Sequence, residues 1–300
     1  MLDYFALKVL QTVVQSGSFE RAAAILNVTP SAVSQRIKHL EERLGTTLVV
    51  RGSPCQATEK GLLLCRHMEQ VGILESDLLK SLPSLALGEQ VQQRVTLHIA
   101  TNADSLATWF LAAAGEFTRS SDYLIRFALD DQDSTAEWLK QGKVVAAVTS
   151  AGKPVPGCRQ FSLGALRYHA TASPSFVARY FSNGVTADAL AKAPSLTFNQ
   201  KDRLQLNWIN QILGVNINVP EHWLPSTHGF VEASVTGMGW GMNPIHLAKE
   251  HIEAGRLVDL VPGQNLDIPL FWQVNRLAAD GLSSLTKTIV EAAKRSLVQN

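Results

Sequence analysis

The stretch from Ser18 to Gly45 constrains this chain most, because it holds two short amphipathic helical patterns parted only by Asn27 to Thr29. Phe19, Ala22, Ala23 and Leu26 stand at i, i+3, i+4 and i+7, one face of a helix, and Ser18 is placed to cap it. Asn27 to Thr29 break the pattern and Thr29-Pro30 reopens it, since proline's fixed φ suits the first helical position and its missing donor would be unpaired there anyway. Val33, Ile37, Leu40 and Leu44 form a second apolar stripe, which Gly45 ends as a C′ residue. Two helices joined by so short a turn make a helix-turn-helix.

The opposite face of the second helix carries the chemistry. Ser31, Ser34, Gln35 and Lys38 are again spaced i, i+3, i+4 and i+7, and Gln35 lies about 200° of rotation from Val33, so the set points away from the apolar stripe. Hydroxyls can bond phosphate or base edges, an amide can bridge adenine N6 and N7, and a cation suits phosphate or guanine. An ordinary solvated face would show the same spacing. The tight turn before it, with Arg21, Arg36, Arg43 and Arg51 nearby, favours DNA. Charge agrees in direction: the whole chain is +1, yet residues 1–66 carry +3 and the remainder −2.

Beyond the head, Thr58 can cap a helix opening on Glu59, and Leu64, Met68, Val71, Leu74, Leu78, Leu82 and Leu85 form a narrow stripe that needs a partner, either its own chain or a second copy. From Arg94 onward strand-like and helix-like runs alternate: Val95 to Ile99, Ser105 to Phe117, Tyr123 to Asp130, Thr135 to Gln141 and Val144 to Thr149. That alternation predicts βαβ units and a mainly parallel sheet covered by helices on both faces. With 46% hydrophobic and 18% charged residues the chain can bury enough surface to order itself. No run approaches the ~18 apolar residues of a membrane helix. No secretory pattern follows Met1, and Cys55, Cys65 and Cys158 contain no C-x-x-C pair, so reduced thiols and a cytosolic location are expected. G-x-S-x-G, Walker and G-x-G-x-x-G signatures are absent, and His246 and His251 are spaced too far for one helical face. Gly237 to Gly241 reads as helix termination, and the six tryptophans as packing. No catalytic residue, metal or cofactor is therefore expected.

Ser16-Gly17-Ser18-Phe19-Glu20-Arg21-Ala22-Ala23, Leu26, Val28-Thr29-Pro30-Ser31-Ala32-Val33-Ser34-Gln35-Arg36-Ile37, Leu40-Glu41, Leu44-Gly45, Leu48 and Arg51 resemble the winged helix-turn-helix of LysR-type transcriptional regulators. Asn102-Ala103-Asp104-Ser105-Leu106-Ala107-Thr108-Trp109 is similar to the arginine- and lysine-responsive subgroup of that family. The resemblance implies an α/β protein with an N-terminal winged helix-turn-helix (1–57), a long linker and dimerisation helix (58–90), and a two-lobed effector domain like the type 2 periplasmic binding proteins (91–300). Lobe I would be 91–163 plus 268–300 and lobe II 164–267, with Leu163 to Thr171 and Ile268 to Val274 crossing between them. It implies that Pro30, Ser31, Ser34, Gln35 and Lys38 meet the major groove and that Arg51 in the wing reaches phosphate or minor groove. The implied partners are promoter DNA, a small effector, further copies of the chain as a homodimer or homotetramer, and RNA polymerase. The same resemblance marks Ser53-Pro54-Cys55-Gln56 as a wing tip short of one basic residue.

Thr101 to Ser105 follow the first strand of the large region, where backbone donors and a helix N-terminus favour an anion. Thr101, Asn102 and Ser105, which can cap the next helix, are expected to receive a ligand carboxylate, and Asp104 an amino group. A cationic side chain would need a carboxylate at the far end, for which Asp130, Asp131 and Asp133 are candidates. Thr149, Phe198, Ser226, Thr227 and Phe230 would complete the pocket. The resemblance implies acidic residues for a basic ligand where this chain has Asn199 and His228, which leaves a neutral or different effector as the alternative. The competing class is a solute-binding protein or small-molecule enzyme whose head is an interaction module.

Overall fold

The computed structural model describes residues 2–82, 94–130 and 135–299, in two compact units. The first comprises residues 1–97, 122–124 and 277–282. In it α1 (Tyr4–Ser16) is capped by Asp3, α2 (Phe19–Leu26) by Ser18, and α3 (Pro30–Leu44) by Thr29 with Pro30 at the first helical position. Asn27 closes α2 at φ 53°. Gly45 closes α3 at φ 64°, where the Thr46 N–H reaches the Glu41 carbonyl at 3.1 Å in the manner of a Schellman end. Leu7, Leu10, Val13, Ala22, Ala23, Val33, Ile37, Leu40 and Leu48 form the head's core. Leu44, expected on the stripe, is 43% exposed: in the last turn of α3 it stands outside the core that Leu40 and Leu48 share.

A wing follows. β1 (Val49–Val50) pairs antiparallel with β2 (Gln56–Ala57). Two ties fix it: one Glu41 carboxylate oxygen accepts from the N–H groups of Leu48 (2.7 Å) and Val49 (3.2 Å), and the Cys55 N–H donates to the Gly17 carbonyl at 2.8 Å. Thr58 caps α4 (Glu59–Ser81). Along α4, Leu64, Cys65 and Met68 pack on the head's core, whereas Leu74, Leu78 and Leu82 are exposed; Leu85 lies outside the described residues. Burial pushes the Cys65 thiol up to about 12, so it stays protonated as a packing residue.

The second unit begins with β3 (Thr96–Asn102), α5 (Ala103–Ser105), a π-helical stretch over Leu106–Phe110, and α6 (Leu111–Arg119). β4 (Leu124–Asp130), α7 (Thr135–Lys140), β5 (Ala146–Thr149) and the long β6 (Cys158–Ala172) follow. Then come α8 (Pro174–Tyr180), α9 (Ala187–Leu190), β7 (Ser195–Thr197), α10 (Leu204–Leu213), β8 (Glu221–Trp223) and α11 (Thr227–Val235). β9 (Gly241–Pro244), α12 (Ile245–Glu253), β10 (Val258–Asp259), β11 (Leu266–Asn275) and α13 (Ser283–Ser296) complete it.

Among the described residues seven strands form one sheet, ordered β10-β6-β11-β5-β3-β4 with β9 also beside β6, and β7 and β8 form a parallel pair of their own. The sheet is not mainly parallel. β3 and β5 are parallel, but β11 runs antiparallel to β5 and to β6, from Leu266 opposite Tyr168 to Asn275 opposite Cys158, and β6 runs antiparallel to β9 and β10. The reason is that β6 and β11 are long enough to serve both halves of the unit: the Phe271–Val274 end of β11 pairs with β5, while the Tyr168–Ala172 end of β6 pairs with β9 and β10. Trp109, Trp208, Trp240 and Trp272 are fully buried, as packing residues.

Gly61 gives the head a sharp test. A Cβ there would collide with the Leu48 carbonyl and crowd Ala57 at 3.3 Å. Gly61→Ala is therefore expected to destabilise the head by about 1–3 kcal/mol, read as a lower urea midpoint for loss of helical circular dichroism in its transition.

Candidate DNA-reading face and ligand cleft

Burial of Val33, Ile37 and Leu40 turns the other side of α3 outward. Pro30, Ser31, Gln35 and Lys38 are exposed and Ser34 is partly so. Arg51, just past β1, donates from Nη2 to Ser34 Oγ at 3.4 Å while its guanidinium lies 5.1 Å from the Phe19 ring centre. The wing arginine and the helix strip thus form one continuous polar surface. Lys38 Nζ is 3.8 Å from Glu42 Oε1, an exposed pair of little strength that leaves the ammonium available. Arg36 is held elsewhere, its guanidinium 4.2 Å from the Phe5 ring centre.

The second unit encloses a cleft of about 290 Å³, near the small end of ligand sites and suited to a molecule of amino-acid size. Asn102, Asp104, Phe198, Thr227 and Phe230 line it, as the sequence predicts. Thr101, Ser105 and Thr149 are buried beside it without lining it; Thr149 Oγ1 accepts from Gln273 Nε2 at 3.2 Å. Asn102, not Ser105, caps the helix: its extended backbone turns Oδ1 onto the Ser105 N–H at 2.6 Å, whereas Ser105 is already helical. Asp131 and Asp133 lie outside the described residues. His228 is exposed and does not line the cleft.

Asp104 is held from two elements. Oδ2 accepts from Tyr168 Oη on β6 and Oδ1 from Thr227 Oγ1 at the start of α11, each at 2.7 Å. Burial raises its carboxyl above the usual aspartate range, the two hydroxyls oppose the rise, and the charge of Asp202 adds to it. Asp202 is the residue that sequence reasoning missed. It lies on the loop between β7 and α10, where Oδ2 accepts from the Phe198 N–H and Oδ1 from the Leu204 N–H, both at 3.0 Å, and burial raises its carboxyl too. A signal existed: Asp202 follows a strand end and precedes a helix, as Asp104 does. Lys201 and Arg203 bring cations to the rim, and Leu204, Met242, Pro244, Ile268 and Pro269 supply apolar wall. Partly buried carboxylates inside and exposed cations at the mouth suit a small ligand bearing both charges. Among the described residues no group of three or more His, Cys, Asp or Glu is assembled to hold a metal, and no helix is long and apolar enough to cross a membrane.

A winged helix-turn-helix joined to a ligand-binding α/β unit defines a DNA-binding transcriptional regulator. Residues 5–62 match the family described as bacterial regulatory helix-turn-helix protein, lysR family, and residues 90–297 match the LysR substrate binding domain. The chain belongs to the LysR family. It is 41% identical to the transcriptional regulator ArgP of Pseudomonas aeruginosa over 299 residues, 100% of this chain and 98% of that one. The structure of the C-terminal domains of a LysR family protein from Agrobacterium tumefaciens is 63% identical and covers 69% of this chain and 100% of its own, with a TM-score of 0.68. Full-length LysG from Corynebacterium glutamicum with bound effector Arg is 34% identical over 99% of this chain and 100% of its own, with a TM-score of 0.67.

Because the folded state raises the Asp104 carboxyl above its unfolded value, the ionised group opposes folding, and the opposition is relieved as pH falls through the raised value toward about 3.9. All six tryptophans belong to the second unit, so their fluorescence follows its unfolding alone. The thermal midpoint of the wild type relative to Asp104→Asn is expected to shift in favour of the wild type as pH is lowered from about 7 toward about 3.9. A difference that stays flat over that range would remove this assignment.

Proposed function

We propose that this regulator binds promoter DNA through Pro30, Ser31, Ser34, Gln35 and Lys38 in the major groove and Arg51 on phosphate or in the minor groove, and that its effector is a basic amino acid, arginine or lysine. In this reading residues 1–57 are the DNA-binding head, 58–90 the linker, and 91–300 the effector domain, with lobes of 91–163 plus 268–300 and 164–267. The observation that carries the effector reading is the cleft's charge arrangement: Asp104, fixed by Tyr168 and Thr227, with Asp202 as a second carboxylate. Two partly buried carboxylates favour a ligand with two cationic groups, since an unpaired charge away from water is costly. The bound Arg of the Corynebacterium glutamicum LysG supports the same class. Asn102 and the start of α5 would take the ligand's carboxylate and Asp104 its α-ammonium, with Phe198, Thr227 and Phe230 closing around it; Thr101, Ser105 and Thr149 would support that wall from behind.

Assembly follows from the linker. Leu74, Leu78 and Leu82 leave an apolar stripe exposed on α4, and a second copy presenting the same stripe would bury it. A dimer also matches the paired half-sites that helix-turn-helix heads read, spaced by whole turns of DNA. Effector binding then acts by population shift, favouring one arrangement of the oligomer on DNA, typically with ~1–3 kcal/mol of coupling.

Two measurements test this reading. Titration calorimetry of the full chain with arginine and lysine is expected to give saturable heat that Asp104→Asn diminishes for both ligands; no heat at millimolar ligand excludes the basic amino acids. On promoter DNA, Gln35→Ala is expected to lose ~1–3 kcal/mol of discrimination against random sequence, while Lys38→Ala weakens both alike and flattens the salt slope. Unchanged discrimination in Gln35→Ala would move base reading to another residue.

A further inference from the structure

We propose that Asp202 selects the ligand's side-chain cation and so sets the preference for a basic over a neutral amino acid, an assignment that rests on reading the cleft as an amino-acid site. One end of the cleft matches the part that every α-amino acid shares. There the Asn102 amide nitrogen is buried and without a hydrogen-bond partner among the described residues, in a residue only 2% exposed, and Asp104 lies two positions on as an acceptor. A donor next to an acceptor suits a carboxylate and an ammonium carried on one carbon.

The side chain must then run toward the remainder of the cleft, where the other lining carboxylate is Asp202. Its oxygens accept from the N–H groups of Phe198 and Leu204 at 3.0 Å, with Gln205 Nε2 at 3.5 Å. All three donors are neutral. They fix the orientation of the carboxylate without cancelling its charge, which leaves a preorganised acceptor for a guanidinium or ammonium. Leu204, Met242 and Ile268 line the same cleft and suit a run of methylenes. Asp104 and Asp202 also repel one another across the site. A ligand with two separated cations offsets both charges, whereas an amino acid with a neutral side chain offsets one and leaves Asp202 desolvated.

The same hydrogen bonds would let Asp202 act solely as an organiser of its loop, so the test must separate charge from shape. Citrulline does this, because it keeps the length and planar head of arginine without the charge. In calorimetric titrations of the full chain, the wild type is expected to favour arginine over citrulline by roughly 10–100-fold. Asp202→Asn keeps one acceptor oxygen and loses the other, so citrulline is expected to weaken somewhat, while the preference for arginine falls below about threefold. If the variant keeps the wild-type preference, the side-chain cation is bound elsewhere and the inference fails. It fails equally if both ligands weaken by the same factor, which would make Asp202 a loop organiser, or if the wild type does not distinguish the two. A wild type that binds neither ligand refutes the amino-acid reading itself, an outcome distinct from a wild type that prefers arginine and a variant that does so equally.

Discussion

Glu41 lies in the last turn of α3, and its carboxylate receives the N–H groups of both Leu48 and Val49, the two residues that lead into the wing. Without that acceptor two backbone donors at the end of the helix-wing connection would need other partners as the hairpin packs, a cost of about 1–3 kcal/mol for each one left unsatisfied. With it, the wing is set at a defined position against the helix, so Arg51 comes within reach of Ser34 rather than sampling solvent. The proposed DNA-reading surface is composed of two elements, and its shape depends on a contact outside that surface. The Cys55 N–H on the Gly17 carbonyl secures the other side of the same hairpin. Side chains that read bases must be held to within a fraction of an ångström, and these ties supply that constraint from beneath.

Asp104 has the corresponding position in the ligand-binding unit. Its two oxygens join three elements that are distant in sequence: the start of the helix after β3, the long strand β6, and the first turn of α11. β6 also pairs with β11 along its length, so Tyr168 is held in the central sheet while Thr227 stands at the start of α11. One acid therefore ties the three elements together, and in the proposed reading it is also the ligand's acceptor.

How far the amino-acid sequence reveals this molecule depends on the range of the interactions. Ser18, Thr29, Gly45 and Thr58 mark helix ends where they occur, since a cap acts on residues two to four positions away and its signal is local. The outward strip of α3 is legible for the same reason, given only helical geometry and the apolar stripe opposite. The direction of β6 and β11 is not: alternating strand and helix runs are shared by parallel and mixed sheets, and the pairing of Leu266 with Tyr168 is set by packing across about a hundred residues. The cleft divides in the same way. Asp104 is legible because it follows a strand and opens a helix; Asp202 shares that signal in weaker form, on a longer loop after β7, and its place becomes plain only when the fold brings that loop to the same cleft. Ser105 was misassigned as a cap by three positions, since Asn102 and Ser105 are equally good capping residues and only the backbone bend at Asn102 decides between them.

The two units meet a common requirement from opposite signs of charge. On the head, cations and hydroxyls stand exposed, where they cost little to hydrate and exchange water for phosphate readily. In the cleft, carboxylates are drawn out of water and held by hydroxyls and backbone N–H groups, at a cost that only a cationic ligand offsets fully. A ligand can shift a conformational equilibrium only by its difference in affinity between the states. The charge of Asp202 adds to the rise of the Asp104 carboxyl, so in the proposed reading the arrangement that brings both acids into one site is the one a dicationic ligand stabilises most. In that reading the difference arises from the cleft's own electrostatics and requires no contact between effector and DNA, which is what would separate an effector-controlled regulator from a protein that merely binds both.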